Sequence, residues 1–395
     1  MQKKTVRDID LESKTVLVRT DFNVPFNPNT LSISNTNRIE ASIPTIKYLI
    51  EKRCKIIICS HLGRPDGKVF SNLSLAPIAE ALKALLHTNV CFLPYIQLTD
   101  VLGNLGFLKH GEVALLENLR FHKGEESNDA GFCENLASLA DVYVNDAFGA
   151  SHRSHASIKG ITNYLPSVAG LLLEKEIDSL ANIMVNPQEP FVAVLGGAKV
   201  SDKVEIVQRF SEMAQAILIG GGMAATFLKS RGVQIGESLV EDSFIGIAQR
   251  LENMCDKNGC QIYLPKDVVV STKDGENVNY RECLVEDIRP GEMIMDIGLE
   301  TQKLYRSILM KSATVLWNGP MGMFERKQYQ FGTRTIARTL ADGPQVSVIG
   351  GGSTVDAVSQ FGLESEMDHV STGGGAALEY LRDGTLPGVE ALWDK

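Results

Sequence analysis

Two groups of residues in this chain of 395 could carry chemistry. The first is cationic. Arg38, Arg64, Arg120 and Arg153, with His61 and His152, lie in the first half, several of them just after short apolar runs. Arginine presents a planar fork of donors that matches phosphate or carboxylate, and its charge persists at any physiological pH. Such a set could converge on a small anion carrying several charges. Asp21 and Asn23 follow another apolar run and belong with it by position. The competing reading is a scatter of separate surface arginines, but recurrence at run after run favours a cluster. His122 and His155 lack that context and read as ordinary structural or surface residues.

The second group is rich in glycine. Gly196-Gly197-Ala198-Lys199, Gly220-Gly221-Gly222, Asn318-Gly319-Pro320, Gly350-Gly351-Gly352-Ser353-Thr354 and Gly373-Gly374-Gly375 each follow an apolar run in the second half. A glycine turn opening a helix lets backbone N–H groups approach phosphate oxygens, and the helix N-terminus favours their charge. None of these turns fits the GxxxxGK[ST] pattern of a P-loop. Residues 220–225, GGGMAA, match a G-x-G-x-x-A dinucleotide fingerprint. The later acids Glu237, Glu241 and Asp242 do not end a strand about 20 residues on, so the match reads as accidental. Lys199 and Lys203 stand four residues apart, a spacing that predicts one shared helical face. That pair could project toward a transferring phosphoryl group, or form a solvated basic face.

The elements that must position these residues are short and continuously apolar. In the first half they are Thr15–Arg19, Lys55–Ser60, Val113–Leu116 and Asp141–Val144. In the second they are Phe191–Leu195, Ala216–Ile219, Gln261–Leu264, Ala313–Trp317, Val346–Ile349 and His369–Ser371. Continuous rather than alternating apolar character suits strands buried on both faces of a parallel sheet. Helical patterns lie between them. Ile39, Ile43, Ile46 and Ile50 fall at helical spacing after the cap candidate Thr36, and Pro44 predicts a kink or a late start. A helix from about Val168 to Met184, closed by Asn186-Pro187, would join the halves. The alternation predicts an α/β chain: two doubly wound parallel-sheet (Rossmann-like) domains joined by a linker helix. In such sheets ligands bind beyond the carboxyl ends of the strands, where both groups of residues fall.

Composition narrows the function further. The net charge of −9 argues against a general affinity for nucleic-acid backbone. Residues 1–185 hold 19 Lys+Arg and 20 Asp+Glu, and residues 186–395 hold 20 and 28. The acidic excess therefore belongs to the second half, while six of seven His lie in the first and 25 of 35 Gly in the second. No apolar run approaches the roughly 18 residues that span a bilayer, and the N-terminal stretch has no apolar core of a signal peptide. Seven cysteines without a CxxC pair give no support to a zinc or dithiol site and point to a reduced, cytoplasmic location.

Six segments in order resemble the phosphoglycerate kinase family over essentially the whole chain. They are Arg-Thr-Asp-Phe-Asn-Val-Pro (19–25), Ser-His-Leu-Gly-Arg-Pro (60–65), Glu-Asn-Leu-Arg-Phe (117–121), Gly-Gly-Ala-Lys-Val-Ser-Asp-Lys (196–203), Trp-Asn-Gly-Pro-Met-Gly-Met-Phe-Glu (317–325) and Ser-Thr-Gly-Gly-Gly-Ala (371–376). The resemblance implies reversible transfer of the acyl phosphate of 1,3-bisphosphoglycerate to MgADP, giving 3-phosphoglycerate and ATP in glycolysis. It implies an N-terminal domain, residues 1–170, that binds the acid substrate through Asp21, Asn23, Arg38, His61, Arg64, Arg120 and Arg153. An interdomain helix follows at 171–186. A C-terminal domain, residues 187–379, would bind the nucleotide through Lys199, Lys203, Gly221, Asn318, Pro320, Glu325, Gly351, Gly352, Ser353 and Thr354, with Glu325 on the ribose. Residues 380–395 would return to the N-terminal domain. The implied protein is a hinge-bending monomer in the cytoplasm, with Mg2+ accompanying ADP or ATP and no nucleic-acid or membrane partner. Phosphoryl transfer needs positioning and charge neutralisation more than covalent chemistry. Arg38 and Lys203 are therefore expected to stabilise the transferring group, assisted by the backbone N–H groups of Gly373, Gly374 and Gly375.

One departure stands out. The family turn usually reads Gly-Gly-Gly-Asp-Ser/Thr, its Asp serving magnesium, whereas this chain has Ser353-Thr354. A neutral hydroxyl is a poorer ligand for a hard cation. The expected substitutes are nucleotide phosphates and water, or help from Asp202 or Asp356. Two other classes compete: a nicotinamide-dependent oxidoreductase, on the GGGMAA match, and a non-catalytic nucleotide-binding relative, on the Ser353 departure.

Overall fold

The computed structural model describes all residues except 1, 28–31, 95–96 and 273–278. The chain divides into two compact units. The first comprises Met1–Asp178 with Asp383–Lys395, and the second Ser179–Arg382.

Six strands build the sheet of the first unit: β1 (Thr15–Arg19), β2 (Lys55–Cys59), β3 (Val90–Leu93), β4 (Val113–Leu116), β5 (Val142–Asn145) and β6 (Ser167–Ala169). They lie in the order β3-β4-β2-β1-β5-β6, every pair parallel. Residues of β4 and β5 are buried throughout, as expected where helices cover both faces. Val16, Val18, Ile56, Ile58, Leu115 and Val144 form the centre of the core beneath the helix Asn37–Glu51. The chain leaves β1 toward β2 on one side and later reaches β5 on the other. The carboxyl ends of β1, β2 and β5 therefore frame a topological switch point.

The helix Asn37–Glu51 excludes the late start that Pro44 allowed. It begins directly after Thr36 and runs through Pro44. Pro44 sits on the exposed face, as does Glu40 four residues earlier, so the carbonyl that lost its partner can be hydrated. The burial of Ile39, Ile46 and Leu49 holds the helix together across it. The linker helix also starts later than the periodicity suggests. Val168 belongs to β6, and the helix is Leu171–Val185. Its start is fixed by the Asp146 carboxylate, whose Oδ1 accepts from the N–H groups of Leu172 at 2.9 Å and Leu173 at 3.2 Å.

The C-terminal residues complete the first unit. Gly388 N–H donates to Ser151 O at 2.8 Å, Asn145 Nδ2 donates to Gly388 O at 3.0 Å, and Trp393 N–H donates to Ser167 O at 3.0 Å.

The second unit contains β7 (Phe191–Leu195), β8 (Ala216–Ile219), β9 (Gln261–Tyr263), β10 (Asp267–Thr272), β11 (Tyr280–Leu284), β12 (Glu292–Ile297), β13 (Thr314–Asn318), β14 (Val346–Gly350) and β15 (His369–Val370). The main sheet is parallel in the order β15-β14-β13-β7-β8-β9. This is the doubly wound order of dinucleotide-binding folds, with its switch point between β7 and β13. Trp317, fully buried, centres the core with Val194, Leu218, Val315 and Ile349. The other three strands form an antiparallel sheet, β11-β10-β12, around Val268, Val270, Cys283 and Ile288. The sequence reading did not anticipate it.

Candidate active site

In the first unit the strand ends bring the cationic residues around one carboxylate. Asp21, just past β1, receives Arg38 Nη1 on Oδ2 at 3.0 Å and the Asn23 N–H on Oδ1 at 3.2 Å. Arg38 Nη1 also reaches Asn23 O at 3.2 Å. The Asn23 side chain then receives Gly63 N–H at 3.0 Å, tying the turn after β1 to the turn after β2. Arg120, almost fully buried beyond β4, donates Nη1 to Gly63 O at 2.5 Å and places Nε 3.2 Å from Glu126 Oε1. That last pair is close in charge but misaligned, and Arg120 Nε remains without a hydrogen bond.

His61 lies buried past β2, with Nδ1 3.9 Å from Asp21 Oδ1 and 3.2 Å from Arg19 Nη2. Burial first, and then the positive charges of Arg19, Arg153 and Arg38, push its pKa well below the ordinary histidine value. Arg64 is exposed and has no protein partner among the described residues. Arg153 Nε donates to His152 Nε2 at 3.2 Å. Asp21, Asn23, Arg38, His61 and Arg120 are thus linked by direct contacts. Arg64 and Arg153 follow strand ends of the same unit, and the charge of Arg153 acts on His61.

In the second unit a cleft of about 320 Å³ opens between the turns after β7, β13 and β14 and the glycines at 374–375. Lys199, Lys203, Asn318, Gly351, Gly352, Ser353, Gly374 and Gly375 line it, together with Asp202. Lys203 is only 7% exposed. Its ammonium donates to Asn318 Oδ1, and burial pulls its pKa down to about 8 against the opposing charge of Asp202.

The two lysines do not share a helical face. The helix there is Val204–Ser211, and Lys203 only caps it. Residues 196–203 form an irregular turn because Gly197 adopts φ +95° and Ser201 N–H and Oγ both donate to Glu241, at 2.9 and 2.6 Å. Lys199 stands exposed on that turn, and Lys203 points into the cleft.

The remaining residues sit behind or beside the cleft. Gly319, at φ +103°, would place a Cβ 2.2 Å from Gly196 O, so the close approach of the two turns requires glycine. Pro320 O accepts from Gly197 N–H at 3.0 Å, and Gly221 N–H donates to Met321 O at 2.9 Å. Thr354 is buried, its Oγ1 accepting from Gly319 N–H at 2.6 Å. Gly373 N–H donates to Ser371 Oγ at 3.1 Å. Glu325 is exposed and lies outside the lining.

The family model for phosphoglycerate kinase matches residues 6–384. The chain belongs to the phosphoglycerate kinase family. It is therefore a phosphotransferase, and the role standard for the family is in glycolysis. The phosphoglycerate kinase of Moorella thermoacetica is 46% identical over 395 residues, with all of both chains covered. That of Microcystis aeruginosa is 47% identical over 399 residues, covering 99% of each. The solved phosphoglycerate kinase structure from Coxiella burnetii superposes with a TM-score of 0.89 at 35% identity and 98% coverage of both chains. The one from Pyrococcus horikoshii OT3 gives 0.85 at 33% identity with the same coverage.

Against the family's aspartate-bearing turn, the fit for magnesium can be judged from the donors present. Among the described residues Asp202 is the one carboxylate that lines the cleft, and Ser353 adds an exposed hydroxyl. Asp356 does not line it. Among the described residues no group of three or more His, Cys, Asp and Glu is placed to hold a metal. Mg2+ commonly keeps several waters and uses one or two carboxylates plus substrate phosphates. Asp202 and Ser353 fit such a nucleotide-borne ion and do not make a cage for a resident one.

Arg19 was the residue that sequence reasoning missed. It ends an apolar run and reads as the last residue of the strand. Its signal was a charge at the last position of a strand otherwise buried on both faces.

Proposed function

We propose that the first unit binds 3-phosphoglycerate or 1,3-bisphosphoglycerate through Asp21, Asn23, Arg38, His61, Arg64, Arg120 and Arg153. The second unit binds ADP or ATP through Lys199, Lys203, Asn318, the 351–353 turn and the 374–375 backbone. Gly221, Pro320 and Thr354 support that cleft, and Glu325 takes the ribose. The reaction is direct, in-line and reversible. A terminal oxygen of ADP attacks the acyl phosphorus, the P–O bond to the acyl oxygen breaks, and 3-phosphoglycerate leaves as a carboxylate. No side-chain nucleophile or base is needed, because carboxylate and diphosphate are the reacting groups themselves.

Lys203 carries the reading. A lysine buried at the switch point, in a cleft lined by the glycine turns after β7, β13 and β14, suits neutralisation of a phosphoryl group as it moves. Arg38 supplies the matching charge from the acid side, and the N–H groups of Gly374 and Gly375 assist, that of Gly373 being held by Ser371 Oγ. Bound with the nucleotide, Mg2+ would neutralise phosphate charge, with Asp202 and Ser353 the residues in reach. Because acid and nucleotide belong to different units, transfer requires domain closure, with the helix Leu171–Val185 as part of the hinge. The protein works as a monomer in the cytoplasm, without nucleic-acid or membrane partners. Among the described residues no helix is long and apolar enough to cross a membrane. A coupled assay for ATP formation from 1,3-bisphosphoglycerate and ADP tests the activity. The expected result is magnesium-dependent ATP formation, and none with the pure protein would reject it.

A further inference from the structure

The cationic site holds one arginine that cannot reach a ligand. Arg19 is 1% exposed, and each of its three nitrogens has a protein partner. Nε donates to Ser157 Oγ at 2.8 Å, Nη1 donates to Thr20 O, and Nη2 lies 3.2 Å from His61 Nδ1. Ser157 is held in turn by Glu125, which is fully buried. Ser157 Oγ donates to Oε1 at 2.6 Å and its N–H donates to Oε2 at 3.0 Å. The Tyr143 hydroxyl donates to Ser157 O at 2.6 Å. One serine therefore bridges a buried guanidinium and a buried carboxylate, which fixes the arginine in direction as well as place.

A guanidinium offers donors only and keeps its charge. The N–H that faces His61 Nδ1 therefore requires a lone pair there, and a neutral ring must carry its proton on Nε2. Nε2 has no protein partner among the described residues, and it is not among the side-chain atoms sealed from solvent without one. It is the ring nitrogen left for a ligand.

We infer that Arg19 is a positioning residue that locks His61 in the Nε2–H tautomer and so presents a neutral N–H donor to the anionic acid substrate. This rests on the reading of the first unit as the acid-binding site. The groups that face His61 are Arg19, Arg38, Arg153, His155 and, at 3.9 Å, Asp21. The cations and burial keep the ring neutral. The Asp21 oxygens are engaged by Arg38 and by Asn23 N–H. Without Arg19, Nδ1–H could turn to Asp21 Oδ1. Nε2 would then become an acceptor, which repels an anion.

The test begins on the ligand-free parent protein with 15N-labelled histidine. His61 signals are assigned by their loss in His61→Gln, and the tautomer is read from two-bond 15N–1H couplings at pH 7. The expected pattern is an unprotonated Nδ1 and a protonated Nε2; a protonated Nδ1 overturns the inference whatever the kinetics. Arg19→Lys keeps the charge but cannot reach three acceptors at once. It is expected to admit the Nδ1–H form and to raise KM for 3-phosphoglycerate about tenfold while leaving KM for ATP near the parent value. A lysine variant with the parent tautomer and the parent KM would show that charge alone matters, and the inference fails. Failure of the underlying reading looks different. His61→Gln would then leave KM for 3-phosphoglycerate unchanged although the parent tautomer is as expected, which removes the substrate role and leaves the lock.

Discussion

Lys203 makes activity depend on pH in a way that its position dictates. A free lysine titrates near 10.5, and burial in the cleft brings this one down to about 8. If the charged ammonium is what binds and stabilises phosphoryl oxygens, the free enzyme loses its competent form as pH rises through about 8. The value of kcat/KM for nucleotide should then fall about tenfold by pH 9 and about a hundredfold by pH 10, one proton being lost. Phosphate groups of the nucleotide titrate near pH 6 and leave this window clear. The assay is initial rate against ATP and 3-phosphoglycerate from pH 6.5 to 10 at fixed ionic strength. Lys203→Arg supplies the control, since arginine stays charged throughout. It should be slower but free of the alkaline limb. A parent profile flat to pH 10, or the same limb in the arginine variant, would refute the assignment.

The same displacement has a stability consequence. The folded protein holds this proton more weakly than the unfolded chain. Between about pH 8 and 10.5 the unfolded state carries more protons, so stability rises with pH across that window. The desolvation cost at pH 7 is on the order of 3 kcal/mol. Lys203→Met removes it, so the inactive variant should be the more stable at pH 7, with its advantage shrinking between pH 8 and 10.5.

Arg38→Ala should lower kcat by at least roughly 10³, as removal of other phosphoryl-transfer charge stabilisers does, and a variant within a few-fold of the parent would displace Arg38 from that role. Ser353→Asp adds a second carboxylate to a cleft lined by only one, Asp202, and should lower KM for MgADP; an unchanged KM would mean that phosphates and water suffice. Asp146 is buried with Oδ2 unpaired, and burial raises its carboxyl to about 7. The folded state therefore holds this proton more tightly than the unfolded one, and stability is lost as pH rises from about 4 through 7. Asp146→Asn keeps the oxygen that receives Leu172 and Leu173 and should remove that loss, seen as a higher denaturation midpoint at pH 8. An unchanged or lower midpoint would show that the charge of Asp146 is compensated in the fold.

The parallel strands were legible because burial on both faces leaves an unbroken apolar run. Phe191–Leu195 is one such strand, and every one of its residues is buried. Where burial is partial the signal fades. β3 exposes Cys91 between buried ends, and β11 alternates exposed Tyr280 and Glu282 with buried Cys283, while β6 is buried but only three residues long. None reads as a continuous run. The candidate site was legible for the same reason as the strands, since Asp21, His61, Arg120 and Lys203 follow strands whose ends could be read and Asn318 ends β13. Spacing misled where tertiary bonds outweighed local propensity. Glu241 holds Ser201 in a turn that four-residue periodicity would have made helical. Arg19 was hidden because a charged residue at the end of a buried run looks like a boundary.

The net charge of −9 says little about how this chain meets its ligands. In the proposed function each site separates the charge that would contact a ligand from the groups that aim it. In the first unit Arg38 and Arg64 are accessible, while Arg19, sealed and bridged to Glu125, spends its charge on the direction of His61. In the second, Lys203 is nearly sealed, and Asn318 Oδ1 receives it, leaving Asn318 Nδ2 without a partner near Gly351. A buried donor left unpaired costs stability, typically about 1–3 kcal/mol. In the proposed function the backbone donors of the turn beside that orphaned amide are already oriented before any phosphate arrives. Preorganisation of this kind explains why the chain tolerates a costly lysine and an unsatisfied asparagine at the carboxyl end of β13, where a merely stable protein would have packed apolar side chains.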